Sequence, residues 1–376
     1  MDDKRTHGQL LMEITAISGE YPANNLRRLI PSSSYAKKVV TALIGDKMIK
    51  AVYKNGVRGY RLEIKGKRKL LADTPLRFAD YLAGATDTNK QRNDHARRLR
   101  LHTTAEALTV LYNAGVRIFK DTKPPIYPLG MKIPPSQPAL SQSALTITTP
   151  CFYSSREQKG EDDNAIRGSR AVGTLLTPTH AYAIYNTSTV ESRWRESVEM
   201  RYRVAIHDSI CRNLLFTQYK GEPVGGIMIG EEMTVLHKYL NAHAKTQTIH
   251  AFLTETYQPF YFITNNKNGE AQLRLLCDNA RMVVLRKSML KTYLPPDSKH
   301  PIEHDALTED GNPVLFCCLL NIPRLVKFKT GVMLQGKVGT AIVFDFQKEV
   351  LGEYLGNDVV LKSISLEKVV ERLYSH

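Results

Sequence analysis

Apolar residues recur at helical spacing from the first turn of the chain. Between Thr6 and Ser18 they fall at Leu10, Leu11, Ile14 and Ile17, one stripe of a helix that Gly19 ends. YPANNLRRLIP follows, with Asn24 placed to cap a short second helix and Pro31 to stop it. Ser32 to Ser34 then cap a third helix, with Val39, Val40, Leu43 and Ile44 expected inside and Tyr35, Lys37 and Lys38 outside. After Gly45 the pattern alternates. MIKAVYKNGVRGYRLEI reads as two strands around Asn55-Gly56, the strongest short-range hairpin signal. Three helices and a hairpin in this order predict a winged helix-turn-helix over residues 1–72, a module expected to fold alone.

Residues 73–122 read as a helical connector. LADTPLRFADYLAGATDTNKQRNDH is mixed and polar, and ARRLRLHTTAEALTVLYNAGV is amphipathic, with Leu99, Leu101, Ala105, Leu108, Leu111 and Tyr112 on one side. Its Arg97, Arg98 and Arg100 are expected to extend a basic surface, and His102 to serve as a capping or core histidine. Residues 123–145 form a Pro-rich linker, expected to run extended.

From residue 146 to 376 strand and helix patterns alternate. ALTITTPCFY, GSRAVGTLLT, HAYAIYN, GGIMIG, FYFITNN, NPVLFCCLLNI, TAIVFDF and VVLKSIS read as strands. Helices are expected over Glu191 to Asn213 and in EEMTVLHKYLNAH, NGEAQLRLLCDNA, QKEVLGEYL and LEKVVERLYS; the apolar MVVL follows the third of these. The fold class is therefore α/β (α+β overall), a mixed region behind an N-terminal winged helix. A restriction-endonuclease-like core is one form that this region could take.

Charge sharpens the picture. The net charge is +15, and residues 1–72 hold fifteen Lys or Arg against six Asp or Glu. A localised basic excess is the footprint of a polyanion-binding module. Recognition helices present their first residues to base edges, which here are Ser32, Ser33, Ser34, Tyr35, Lys37 and Lys38. Lys54, Asn55 and Arg58 at the hairpin tip suit phosphates or a neighbouring minor groove, and Lys65, Lys67, Arg68 and Lys69 suit further phosphate contacts. Double-stranded DNA is the expected partner. With no run of eighteen apolar residues and no secretory leader pattern, a cytoplasmic protein without membrane partners is expected. Its five cysteines lack CxxC spacing, and Cys317 and Cys318 in VLFCCLL read as small buried hydrophobes.

Reaction chemistry is sparse. No Walker A, GxGxxG, HExxH, GxSxG or zinc-ribbon spacing occurs. His237 and His243 stand six apart, off a common helical face, and KHPIEHD groups His300, Glu303, His304 and Asp305 in what reads as a polar turn. Glu157 and Lys159 are the catalytic candidates, an acid-x-lysine pattern after an apolar strand. In nucleases of restriction-endonuclease type such a carboxylate holds Mg²⁺ and the lysine positions water, but a further acid is needed, and Asp162 and Asp163 read as loop. No metal or other cofactor is expected unless that nuclease reading holds. Arg167, Arg170, Arg193, Arg195, Arg201 and Arg203 with Tyr182, Tyr185 and Trp194 form either a nucleic-acid face or an ordinary helix paired as Arg195–Glu199.

The passage YRLEIKGKRKLL and the following RLRLHTTAEALTVLYNAGV resemble winged-helix replication-relaxation proteins of bacterial plasmids and conjugative elements. The likeness covers about the first 120 residues. It implies sequence-directed DNA binding, as an accessory or regulatory factor in replication or mobilisation, with other proteins of those processes as partners. An Mg²⁺-dependent nuclease and a ligand- or partner-sensing transcription regulator are the alternatives.

Overall fold

A computed structural model describes residues 5–83, 87–88, 94–127, 146–160, 166–188, 195–213, 215–241 and 256–375. The chain is a mixed α/β protein of two compact units, Met1–Ser141 with Cys151–Glu161, and Gln142–Pro150 with Asp162–His376.

In the first unit Thr6 caps α1 (His7–Ser18), its hydroxyl accepting from the Gln9 amide. A two-residue strand β1 (Tyr21–Pro22) precedes the short helix α2 (Leu26–Leu29). Asn24 does not cap that helix. Asn25 directly precedes it, and its buried side chain donates instead to the Tyr21 hydroxyl at 3.2 Å. Ser32 caps α3 (Ser33–Gly45), where Ala36 and Val40 are buried and Val39 and Leu43 half-buried. Ile44 departs from expectation and is exposed, because the core-facing stripe has rotated past it in the last turn. Strands β2 (Ile49–Lys54) and β3 (Val57–Leu62) pair antiparallel around the Asn55-Gly56 turn, and β1 adds to the far edge of β3.

Three more helices complete this unit: α4 (Ile64–Asp73), α5 (Pro75–Leu82) and α6 (His95–Asn113). Phe78, Tyr81, Leu108 and Leu111 are no more than 2% exposed. Helices α5 and α6 therefore contribute core residues rather than serving as a connector, and the compact unit extends well past residue 72. The cause lies in α6, which is buried all round from Ala105 to Leu111; a helix covered on every side needs other elements around it. Leu99, expected inside, is exposed. The unit closes with strand β4 (Cys151–Ser154), shorter than the expected ALTITTPCFY, and a 3₁₀ turn at Glu157–Gly160. Of the expected linker, residues 128–145 lie outside the described residues.

In the second unit β5 (Ala171–Leu176) and β6 (Ala181–Ser188) pair antiparallel, and β7 (Gly225–Gly230) and β8 (Phe260–Thr264) extend the sheet in parallel. Every residue of β5 and β7 is buried, as for strands covered on both faces. Helices α7 (Glu196–Arg212) and α8 (Met233–Asn241) lie along the connections. After α9 (Lys267–Cys277) and α10 (Asn279–Leu290) comes a second sheet, built from β9 (Ala306–Leu307), β10 (Pro313–Phe316), β11 (Gly339–Phe344) and β12 (Val359–Ile364) in the order β12-β11-β10-β9. Its three parallel strands are linked by α11 (Ile322–Gln335) and α12 (Lys348–Leu355), and α13 (Leu366–Tyr374) ends the chain. Leu275, Leu285, Val314, Phe344 and Leu366 form the centre of this core.

One element differs from the sequence reading, and one stretch that it left unassigned takes a definite form. MVVL is helical, part of α10, with Met282 buried and Val283 and Val284 exposed. NPVLFCCLLNI is a strand only to Phe316, and the unanticipated helix α11 starts at Ile322 with Pro323 in its first turn. Cys317 and Cys318 are buried. Among the described residues no helix is long and apolar enough to cross a membrane.

Candidate nucleic-acid interface

Three segments of the first unit present the exposed cations of the candidate interface. At the start of α3, Ser32, Ser33, Ser34, Tyr35, Lys37 and Lys38 are all exposed. Ser32 holds the Tyr35 amide at 3.4 Å and shares a 3.3 Å hydrogen bond with the Ser34 hydroxyl, while the Tyr35 ring meets the edge of His7 at 5.6 Å. At the hairpin tip Lys54, Asn55 and Arg58 are exposed, and Asn55 and Gly56 take φ values of 51° and 76°. That pair of left-handed residues is what a tight two-residue hairpin needs. On α4, Lys65, Arg68 and Lys69 are exposed, with Lys69 paired to Asp73 at 2.9 Å. Lys67 is half-buried and paired with Asp87, so it stands apart from the exposed cations of this helix.

Beneath the hairpin lies a buried charge cluster that the sequence did not announce. Glu20, fully buried, follows Gly19 and faces two guanidinium groups and an imidazole. Arg61 of β3 donates to it from Nε at 2.8 Å, Arg98 of α6 from Nη2 at 2.6 Å, and His102 from Nε2 at 2.9 Å. Burial alone would raise the Glu20 pKa; the donors His102, Arg98 and Arg61 override it and hold the carboxyl at about 2. Arg98 does more than neutralise Glu20. Its terminal nitrogens also donate to the backbone carbonyls of Lys54 (3.1 Å), Val52 (3.2 Å) and Val57 (3.2 Å).

Arg98 thus does not extend the basic surface, as its place in ARRLRLH suggests; it is 1% exposed. Arg97 and Arg100 are exposed as expected, and His102 is a core histidine. One signal was present in the sequence: Arg98 and His102 stand four apart, on one face of α6. Gly59 makes the close approach possible. A Cβ there would come within 2.4 Å of Glu20 Oε1 and 2.7 Å of His102 Nε2.

The acid of the nuclease pattern is engaged elsewhere. Glu157 is 3% exposed and bonds Lys123 Nζ at 2.8 Å and the Ser154 amide at 2.8 Å. Lys123 donates in addition to the carbonyls of Ile118 and Phe152 and sits 4.5 Å from the centre of the Tyr153 ring. Burial pushes the Lys123 pKa down, against the pull of Glu157. Lys123, expected at the start of an extended linker, is instead a core anchor. The side chain of Lys159, and all of Asp162 and Asp163, lie outside the described residues. Among the described residues no three His, Cys, Asp or Glu side chains are grouped as a metal would require.

The arginine and tyrosine constellation separates. Tyr182 and Tyr185 are core residues, and Glu199, fully buried, accepts from the Tyr185 hydroxyl (2.8 Å) and the Ser169 hydroxyl (2.8 Å) rather than facing Arg195. Arg167, Arg170, Arg195 and Arg201 are exposed and Arg203 is half-buried; Arg193 and Trp194 lie outside the described residues, as does His243. In KHPIEHD, Asp305 accepts from Arg324 at 2.8 Å and from the Phe316 amide at 2.7 Å, and His304 accepts from the Asp297 amide at 3.0 Å, bonds that make the segment a polar turn. Comparison of the chain with family models, with curated proteins and with solved structures finds no match.

Proposed function

We propose that the first unit is a winged helix that docks on double-stranded DNA, and that the protein acts as a sequence-directed accessory or regulatory factor for a plasmid or another mobile element. One observation carries the reading: Ser33, Ser34, Tyr35, Lys37 and Lys38 all stand free of the core at the start of α3, in the same compact unit as the exposed Lys54, Asn55 and Arg58 of the hairpin tip. Small hydroxyls, an aromatic ring and two cations at a helix start suit base edges, and cations at a hairpin tip suit phosphates. The tie to mobile elements rests on the resemblance carried by YRLEIKGKRKLL and RLRLHTTAEALTVLYNAGV. The engagement of Glu157 by Lys123 and the Ser154 amide favours binding over strand cleavage.

Fluorescence anisotropy on labelled duplex DNA tests the proposal. Neutralising about five to eight phosphates gives a slope of log K against log salt of roughly −4 to −7. Replacing Lys37 and Lys38 by alanine is expected to erode discrimination between sequences, by about 1–3 kcal/mol where a base edge is read. Replacing Lys54 and Arg58 is expected to weaken all duplexes alike. Affinity indifferent to salt would sink the proposal.

A further inference from the structure

A two-stranded hairpin is marginal by itself, and its tip is free to move unless something holds it. Here the hold comes from 44 residues away in sequence, where α6 places the Arg98 guanidinium against both strands of the hairpin. Arg98 reaches the carbonyls of Val52 and Lys54 on β2 and of Val57 on β3, spanning the turn. Each carbonyl oxygen has two lone pairs, so it can serve the sheet ladder and accept from Arg98 as well. Glu20 fixes the guanidinium in turn, receiving its Nε at 3.1 Å and its Nη2 at 2.6 Å, and Gly59 leaves the room for this contact.

We infer that Arg98 is the positioning residue of the hairpin's DNA contact: braced by Glu20, it fixes the backbone from which Lys54 and Arg58 project, so that the tip meets phosphates already ordered. The inference rests on the DNA-binding reading and assigns within it a role to a residue that touches no DNA. Ordering a rotamer-rich side chain or a loop on binding costs affinity, and a prior brace removes that cost. Lys54 is the most directly affected, since its own carbonyl is one of the three that Arg98 holds.

The test is a mutant cycle on the full chain, read by anisotropy on a fluorescein-labelled duplex and by hydrogen exchange without DNA. Arg98→Met is expected to lose roughly three- to tenfold in affinity. In that background the Lys54→Ala/Arg58→Ala pair should cost little more, whereas Lys37→Ala/Lys38→Ala should cost as much as in the parent. Exchange should rise across residues 52–58 while the α1 amides stay protected. Gly59→Ala, which crowds Glu20 and His102 and so disturbs the brace of Arg98, should reproduce the pattern. Three results would overturn the inference: unchanged affinity in Arg98→Met, an undiminished cost of losing Lys54 and Arg58 there, or exchange that rises evenly over the whole unit. If the parent chain binds no duplex, the proposed function fails by itself, and the exchange pattern still decides whether Arg98 holds the hairpin.

Discussion

At the scale of single residues, two buried carboxylates govern what the first unit tolerates. Glu20 is held at about 2, below its ordinary 4.5, by His102, Arg98 and Arg61 acting against its burial. A depressed carboxylate stabilises the fold above its unfolded pKa and loses that contribution as pH falls toward the folded value. The stabilisation, roughly 3 kcal/mol, should therefore be full at neutral pH and drain between about pH 4.5 and 2. Urea midpoints measured over that window should fall more steeply for the parent than for Glu20→Gln. Glu157 makes a different prediction. Removing it leaves the Lys123 ammonium buried without its partner, so Glu157→Ala should cost about 3–5 kcal/mol in urea unfolding. Lys123→Met combined with Glu157→Leu should recover much of that loss, and a single mutant as stable as the parent would refute the ion-pair assignment. Neither carboxylate's role was legible in the sequence, because the cation paired with Glu157 lies 34 residues away and the donors to Glu20 lie 41 to 82 away. Residue type alone made Glu157 look catalytic and Arg98 look exposed.

At the scale of elements, what local chemistry dictates was legible. Ser32 caps its helix as read, and Asn55-Gly56 turns the hairpin between the two strands expected around it. Gly56 has open space around its Cα but a φ of 76°, so Gly56→Ala strains only the backbone. A loss of about 1 kcal/mol is expected from denaturant titration, and a substantially larger one would mean that the turn is packed rather than free. What depends on competition between elements was not legible. VLFCCLL has the composition of a strand, yet pairing stops at Phe316 and the chain turns into α11. Pro323 marked that helix start, but the apolar run around it masked the signal. The site divides in the same way: Lys37, Lys38, Lys54 and Arg58 were readable as exposed polar positions, whereas Lys67 was not, since its partner Asp87 lies in another segment.

At the scale of the molecule, the size of the first unit changes what can be cut. Removing α5 and α6 uncovers the faces of α1 against which they pack and strips Glu20 of Arg98 and His102. A fragment of residues 1–72 should accordingly lack a cooperative thermal transition, whereas one of residues 1–161 should show it; calorimetry of the two decides. The alternation of strands and helices announced the α/β character of the second unit, because each crossover there is local. The first unit was misjudged because α6 belongs to it across a polar stretch of sequence.

The Lys123–Glu157 pair has one more consequence, in time rather than in space. Glu157 and β4 belong to the first unit although residues of the second precede them in the chain. During synthesis, domains fold as they emerge, at about 5–20 residues per second. The nascent first unit must therefore wait, with Lys123 unmatched, until residue 157 has left the ribosome. By then translation is already committed to the second unit. A break between residues 127 and 151 would leave the first unit without β4 and Lys123 without its carboxylate, so completion of this unit waits on a segment made after the second has begun.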